Sequence, residues 1–202
     1  MENKIICIGR EYGSGGREIG EKLARQLGIP CYDKLLIKKA ALESGLSEEF
    51  LSRTEESPIN SIQFLSGNPY ADVAGIGTAF YSESQMAYNA ERTVIEQLAK
   101  QGPCVIIGRC ADYVLRHRNP LRLFFYADIA DRMERCRKRN EEQKSLNHDV
   151  LRKIITQTDK NRSRYYEFLS GQKWGAKENY DLCINTSSAD TEKIIQCVIS
   201  LL

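Results

Sequence analysis

The amino-acid sequence predicts an α/β domain in which helices cover both faces of a parallel sheet of about five strands. Short β-branched runs alternate along the chain with segments of helical hydrophobic spacing, and a glycine-rich turn follows the first run. The length of 202 residues suits one such domain with a small insert, but hardly two independent cores. We therefore expect a single domain over 1–202, with an insert at about 34–100 and a small helical lid at about 131–170.

The first βα unit is the most clearly patterned part of the chain. Residues 4–9 (KIICIG) form a β-branched run that predicts a buried strand. After the glycine-rich turn, apolar side chains recur every four residues, at Ile19, Leu23 and Leu27. This spacing predicts a helix that Gly28 can end, and residues 29–33 (IPCYD) then resemble a short second strand.

The middle of the chain carries weaker patterns. Residues 34–52 suggest one or two short helices, and residues 55–77 are rich in Ser, Asn, Pro and Gly, as in a mobile loop. Residues 78–100 predict a long helix, which the Gln-Gly-Pro sequence at 101–103 would stop.

The second half of the chain repeats the alternation of strands and helices. We predict strands at 104–107, 121–127 and 181–185. We predict helices at 128–139, 148–169 and 189–202. Because parallel sheets bind their ligands at the carboxyl ends of the strands, functional residues are expected at those ends.

Charge and cysteine content restrict the partners and the compartment. The formal net charge of +2 is close to balance, so the sequence predicts neither a nucleic-acid partner nor a membrane partner. The seven cysteines form no C-x-x-C pair, which indicates reduced thiols in a reducing compartment. Residues 1–10 lack a signal-peptide pattern, and no apolar run approaches the length of a membrane span. We therefore expect a cytoplasmic protein.

The turn after the first strand, residues 9–18 (GREYGSGGRE), has the features of a phosphate-binding P-loop. Four of its first eight residues are glycines, which let consecutive N–H groups point inward, and the following helix adds partial positive charge. The alternative is a merely tight strand-to-helix turn. The residues predicted to bind the phosphates are Arg10, Gly13, Ser14, Gly15, Gly16, Arg17 and Glu18.

The loop departs from the motif G-x-x-x-x-G-K-[ST] at the lysine. In the alignment on residues 13–15, Gly16 occupies the lysine position. If one extra residue is allowed, Arg17 takes that position and Glu18 takes the Ser/Thr position that normally contacts Mg²⁺. A guanidinium binds phosphate well, so Arg17 can supply the missing charge, and Arg10 is a second candidate.

Several segments, in this order, resemble the cytidylate-kinase-like family, a branch of the nucleoside monophosphate kinases. They are KIICIGREYGSGGREIGEKLARQLG, PCYDKLLI, CVIIGRCADYVL, LRLFFYADIADRMERCRKR, TDKNRSRYY and YDLCINTSSADTEKII. The resemblance spans most of the chain. It implies a P-loop fold, ATP and Mg²⁺ as cofactors, and small-molecule nucleotides as partners, with CMP or dCMP as the leading phosphoryl acceptor.

The resemblance also implies residues that bind the acceptor. Asp33, after the second strand, is similar in position to an aspartate that helps to hold the nucleotide. Arg109 looks like a ligand of the acceptor phosphate, because it lies in the segment that corresponds to the family's Gly-Arg-Asp. Asp159 and Arg162 resemble the D-x-x-R pair that grips the pyrimidine and its phosphate.

Three positions depart from the family pattern. They are Gly16 in place of lysine, Cys110 in place of an acid, and Ile155 in place of an arginine. All three fall where the donor, the acceptor or the base would be bound.

Arginines are concentrated in the predicted helix 128–139. Arg132, Arg135 and Arg139 are spaced i, i+3 and i+7, so they share one helical face. In a P-loop kinase, a lid in this place presents arginines to the transferring phosphoryl group, so we predict catalytic roles for Arg132 and Arg139 beside Arg17. The alternative is a solvated surface helix, and we expect Arg135 and Arg137 to be ordinary surface residues.

Other candidates receive structural roles or none. Tyr165, Tyr166 and Trp174 can stack on a base, but such aromatics more often pack helices together, and we assign them to the core. His117 and His148 have no partner at catalytic or metal spacing.

The expected activity is transfer of the γ-phosphoryl group of ATP to a nucleoside monophosphate. Such transfer requires positioning and cations rather than covalent chemistry by the protein. One alternative is a nucleotide-binding regulator with little activity, and the other is a kinase of a non-nucleotide acceptor.

Overall fold

A computed structural model of the protein describes residues 4–33, Leu42 and 76–202, with backbone alone over 76–87. Its sheet has five parallel strands in the order β2-β3-β1-β4-β5. The strands are β1 (Ile5–Arg10), β2 (Cys31–Tyr32), β3 (Cys104–Ile107), β4 (Leu121–Tyr126) and β5 (Leu182–Asn185). The predicted parallel sheet of about five strands is confirmed.

Seven α-helices lie within the described residues. They are α1 (Gly16–Leu27), α2 (Ile76–Lys100), α3 (Ala111–Val114), α4 (Ile129–Arg139), α5 (Glu141–Lys144), α6 (His148–Ser170) and α7 (Thr191–Ser200). The predicted helices after the first strand and in the second half of the chain are confirmed to within a few residues. The short helices predicted at 34–52 and the loop predicted at 55–77 lie outside the described residues, apart from Leu42 and the start of α2.

Both faces of the sheet are buried because successive side chains of a strand point to opposite faces. In β1, Ile5 and Cys7 pack in a cluster with the buried residues of α2 and α3. Ile6 and Ile8 pack on the other face with the buried residues of α1 and α7. The β-branched run of β1 is therefore apolar throughout, as a central parallel strand requires.

A third apolar cluster joins α4 to α6. Met133 and Cys136 of α4 pack against Leu151 and Ile155 of α6, and Tyr12 packs against the cluster from the loop after β1. Ile155 is completely buried there, so the position where the family resemblance predicts an arginine is occupied by a core residue.

The guanidinium of Arg132 connects α4 and α6 to the loop after β1. Its Nε donates to the carbonyl oxygen of Tyr12 at 2.7 Å, and its Nη1 lies 3.0 Å from Oε2 of Glu11. Arg132 also pairs with Asp159 of α6, whose Oδ1 accepts the N–H of Tyr12 at 2.8 Å. The side chain of Arg132 is only 7% exposed, so these contacts are largely shielded from water.

An aspartate joins the beginnings of β4 and β5. Asp181 accepts hydrogen bonds from the backbone N–H of Arg122 at 2.8 Å and from its Nη2 at 2.7 Å. The hydrogen bonds from the Arg122 side chain hold the pKa of Asp181 below its usual value.

Replacing Arg132 with methionine should lower the free energy of unfolding by about 3 kcal/mol, because Glu11 and Asp159 would keep their burial and lose their cation. Urea unfolding followed by circular dichroism measures this change. The matched control is Lys138→Met in the same helix, where the side chain is 72% exposed and pairs only with Glu134 among the described residues. It should cost less than about 0.5 kcal/mol. Equal losses in the two variants would contradict a structural role for the Arg132 contacts.

The contribution of Asp181 to stability should depend on pH. Its folded pKa lies below the unfolded value of about 3.9, so its contribution is complete above that value and disappears as the pH falls through the folded pKa. The difference in unfolding free energy between wild type and Asp181→Asn should therefore be constant from about pH 7 to pH 5 and shrink below about pH 4. Urea titrations at several pH values test this, and a difference that does not shrink at all between about pH 5 and about pH 2 would contradict it.

Candidate functional site

The loop between β1 and α1 has the backbone of a phosphate cradle. Gly13 and Gly15 adopt left-handed conformations, with φ of +79° and +83°. A Cβ on Gly13 would also lie 2.8 Å from the carbonyl oxygen of Arg132. Helix α1 begins at Gly16, and its first i→i−4 hydrogen bond runs from the N–H of Ile19 to the carbonyl of Gly15. The N–H groups that precede Ile19 in this turn therefore have no helical partner and suit an anion.

Three arginines of α4 contact this loop and the start of α1 from one side. Arg132 donates to the Tyr12 carbonyl, Arg135 donates to the Ser14 carbonyl at 3.2 Å, and Arg139 pairs with Glu18. Their shared face, predicted from the i, i+3, i+7 spacing, is confirmed. Because carbonyl oxygens of the loop are bound on this side, its backbone is held in one conformation.

The prediction that Arg135 is an ordinary surface residue is wrong. Its Nη2 donates to the carbonyl of Thr186 at 2.6 Å, and its Nη1 donates to the Thr186 hydroxyl at 3.1 Å. Thr186 follows β5, is buried, and donates its hydroxyl to the Ser14 carbonyl at 2.6 Å. The end of β5 thus supports the glycine loop, and these contacts across distant parts of the sequence leave no periodic signal.

Arg10, Arg109 and Arg162 form a cluster of cations where β1 and β3 end. Burial, followed by the neighbouring charges of Arg162 and Arg109, lowers the pKa of Arg10 to about 9. Burial likewise lowers the pKa of Arg109 and that of Arg162. Arg162 Nη1 also donates to the backbone carbonyl of Arg10 at 3.0 Å. Desolvated cations that repel one another favour a bound anion, which would replace the lost hydration.

Arg109 is positioned by two residues that the sequence did not reveal as part of the site. Its Nη1 lies 3.0 Å from Oε1 of Glu91, and the hydroxyl of Tyr165 donates to Oε2 of Glu91 at 2.7 Å. Burial raises the pKa of Tyr165 well above its usual value, so its hydroxyl stays protonated and remains a donor. Tyr165 is therefore more than the core residue that we predicted.

The backbone at Arg109 is strained. Arg109 and its neighbour Cys110 both have φ of +56°, in the left-handed region that side chains other than glycine seldom adopt. Such conformations persist where the surrounding structure fixes them, and they are concentrated at binding sites.

Arg17 pairs with two carboxylates beside this cluster. Its Nη2 lies 2.7 Å from Oδ2 of Asp33, its Nε donates to Glu21 at 2.9 Å, and its side chain is 54% exposed. Asp33 is 8% exposed at the end of β2. These two predicted site residues are thus paired with each other on the β2 side of the loop.

The remaining aromatic and histidine residues stand as follows. Tyr166 is buried and donates its hydroxyl to Asp112 at 2.7 Å, and Trp174 packs edge-on against Phe124 at 5.2 Å between ring centroids. Tyr166 therefore lies in the core, as predicted, whereas Trp174 is only partly buried. His117 and His148 are exposed.

Magnesium bound beside nucleotide phosphates needs only one or two carboxylates from a protein. Within residues 4–33 and 76–202, no group of three or more His, Cys, Asp or Glu side chains can hold a metal ion. Besides Glu11 and Asp159, which pair with Arg132, the loop has two further carboxylates nearby: Glu18, in the first turn of α1, and Asp33, at the end of β2. This donor set fits a Mg²⁺ held mainly by phosphate oxygens.

No helix in the described part of the chain is long and apolar enough to cross a membrane.

Comparisons with known proteins agree with this architecture. The crystal structure of an uncharacterized protein from Eubacterium ventriosum aligns with 99% of this chain and 98% of that chain, with a TM-score of 0.72 and a sequence identity of 26%. Shikimate kinase from Bacteroides thetaiotaomicron is 16% identical, with a TM-score of 0.52, over 98% and 97% of the two chains. Shikimate kinase from Acinetobacter baumannii, in complex with shikimate, is 15% identical, with a TM-score of 0.50, over 98% and 91%. A comparison with curated protein sequences finds no match.

The two shikimate kinases share the fold of this chain, a P-loop kinase fold. The model that describes the cytidylate kinase-like family matches residues 5–188, which include the glycine loop, the arginines of α4 and the cation cluster. The protein therefore belongs to the cytidylate kinase-like family.

Proposed function

We propose that this protein transfers the γ-phosphoryl group of ATP to a nucleoside monophosphate, with CMP or dCMP as the leading acceptor. The observation that carries the proposal is the cluster of Arg10, Arg109 and Arg162 beside the glycine loop. Buried cations next to a phosphate cradle are what two phosphorylated substrates require when they meet. Membership of a kinase-like family supports the same reaction class.

The donor phosphates would bind to the backbone of residues 13–16 and to the N-terminus of α1. Arg132 would hold the loop in place, and Arg139 would add positive charge beside Glu18. Arg17 or Arg10 would replace the lysine of the usual motif. Bound Mg²⁺ would neutralise charge on the β- and γ-phosphate oxygens, with Glu18 or Asp33 as a protein ligand.

The acceptor would bind where β3 ends. Arg109 and Arg162 would hold its phosphate, and Asp33 and Asp159 would orient the rest of the molecule. The carboxylate of Glu91 and the hydroxyl of Tyr165 fix the Arg109 guanidinium, so its direction is set before the acceptor arrives.

In the transfer, an oxygen of the acceptor phosphate attacks the γ-phosphorus. The bond between the γ-phosphorus and the oxygen that bridges to the β-phosphate breaks, and its electron pair stays on ADP. An ionised acceptor phosphate already carries the attacking electron pair, so no general base is required.

A second candidate function is a nucleotide-binding regulator with little transferase activity. The contact that favours it is the hydrogen bond from the Tyr12 N–H to Asp159. A carboxylate there already accepts one N–H group of the loop, so that group is not free to bind a donor phosphate. Against it stands the positive charge of the three clustered arginines, which exceeds what simple retention of a nucleotide needs. A kinase of a non-nucleotide acceptor is the third candidate, and the choice of acceptors in the assay separates it from the first.

The seven cysteines are unpaired, which supports a reducing compartment such as the cytoplasm as the place of action.

The deciding experiment is ADP release by the purified protein with Mg·ATP and, in turn, CMP, dCMP, UMP, AMP and GMP. Turnover that depends on one of these acceptors establishes the kinase. Clear ATP binding without turnover on any of them removes the nucleoside monophosphate kinase and leaves the regulator and the non-nucleotide acceptor.

Replacing Arg109 with alanine should raise the KM for the acceptor by about 10- to 100-fold, because a charge-assisted contact with a phosphate contributes about 1.5–3 kcal/mol. The KM for ATP should change much less, since the donor loop does not depend on Arg109. Steady-state kinetics with each substrate varied in turn measure both values. Arg116→Ala is the matched control, because Arg116 is exposed and stacks on Tyr113 instead. An unchanged acceptor KM in a folded Arg109→Ala protein would remove Arg109 from the acceptor site.

A further inference from the structure

The side chain of Arg10 lies where a side chain at position 16 would begin. A Cβ built on Gly16 would lie 2.8 Å from the Cβ of Arg10 and 3.0 Å from the Cβ of Phe125. Real Cβ atoms essentially never approach other atoms as closely as 2.8 Å. Glycine at position 16 is therefore required by packing, because the side chain of a lysine there would begin against the Cβ of Arg10 and that of Phe125.

The other end of Arg10 reaches the cation cluster. Its Nη1 lies against Gly108, where a Cβ would be only 1.8 Å from that nitrogen. Gly108 is the residue between β3 and Arg109, and Arg162 binds the Arg10 carbonyl. The side chain of Arg10 thus begins beside Gly16 of the glycine loop and ends beside Gly108, next to the arginines proposed for the acceptor.

We propose that Arg10 replaces the P-loop lysine as the cation, and that position 16 is glycine because this makes room for the Arg10 side chain. We call this pair of changes the exchange. The proposal rests on the proposed phosphotransferase function and specifies which residue supplies the cation. In the usual motif, the lysine at the start of the helix reaches the β- and γ-phosphates. Here the cation belongs to the last residue of β1, whose Cβ lies against Gly16 and whose guanidinium lies beside Gly108.

Arg17, the other candidate, is held by two carboxylates. It lies one residue further along α1, so its side chain leaves the helix about 100° away from that of residue 16. Its guanidinium already bonds Asp33 and Glu21, and it is more than half exposed to solvent. A cation in that place is screened by water and by two carboxylates.

The first test compares the two candidate arginines. Isothermal titration calorimetry with AMP-PNP and Mg²⁺ would compare wild type, Arg10→Met, Arg10→Lys and Arg17→Met. Arg10→Met should weaken AMP-PNP binding by about tenfold or more, because it removes the charge and keeps an unbranched stem like that of arginine. Arg10→Lys should lose less than Arg10→Met, and Arg17→Met should also lose less. Thermal unfolding of each variant identifies any that are not folded.

The sharper comparison is between Arg10→Gly and the double variant Arg10→Gly/Gly16→Lys. The double variant removes the closer of the two Cβ atoms that crowd position 16, leaves that of Phe125 at 3.0 Å and restores the lysine of the common motif. It should therefore bind AMP-PNP more tightly than Arg10→Gly. Gly16→Lys alone should lower the melting temperature, since the Cβ of Arg10 and that of Phe125 remain in its way. A double variant that binds no better than Arg10→Gly would overturn the exchange.

Other outcomes separate this inference from the proposed function. Arg10→Met with unchanged AMP-PNP affinity, or Arg17→Met with an equal or larger loss, overturns the inference even if the wild type has kinase activity. A tenfold loss in Arg10→Met supports it even if no acceptor of the panel is phosphorylated. A wild type that fails to bind AMP-PNP overturns both.

Discussion

The shape of the glycine loop depends on the buried guanidinium of Arg132. One side chain binds the Tyr12 carbonyl, the Glu11 carboxylate and Asp159, and so connects the loop to α4 and to α6. The planar guanidinium has enough donors for all three contacts, which the ammonium of a lysine would make without fixed directions. Without this cation, the carboxylates of Glu11 and Asp159 would remain beside the loop where phosphate would bind. The arginine thus makes the loop stable and at the same time compatible with an anion.

Each of the three departures from the family pattern has a structural explanation. Together they favour a site that has changed its residues over a site that has lost its function. Ile155 completes the apolar contact between α4 and α6, where an arginine would need water or a counter-ion. Cys110 is buried in a left-handed conformation next to Arg109, so an acid there would lose its hydration. Gly16 makes room for Arg10. A decaying site would lose its cations, whereas this one keeps Arg10, Arg109 and Arg162 partly buried.

Most of the fold could be predicted from the sequence, because each strand and helix has a local pattern, such as the run of β1 or the four-residue spacing of α1. The glycine loop was identified for the same reason. Contacts between distant residues give no such signal: Tyr165 and Glu91 lie 74 positions apart, and Arg135 and Thr186 lie 51 apart. The sequence places these residues on elements, but only the packing of the elements shows that they meet. Arg17 shows the same limit, because the motif places it at the start of α1 but does not reveal that its guanidinium pairs with Asp33 and Glu21.

Helix α6 presents opposite charges to the glycine loop. One of these residues contacts the loop proposed for the donor, and the other is proposed to bind the acceptor. Asp159 accepts the Tyr12 N–H, while Arg162, three residues later, donates to the Arg10 carbonyl and lies 5.6 Å from the Tyr12 ring centroid. A phosphate that enters the cradle is repelled by the first residue and attracted by the second. Any shift of α6 that withdraws Asp159 also moves Arg162, because both belong to one rigid helix. The contacts of Asp159 with Tyr12 and of Arg162 with Arg10 therefore depend on the same placement of α6 against the loop, which the pair of Arg132 and Asp159 helps to fix.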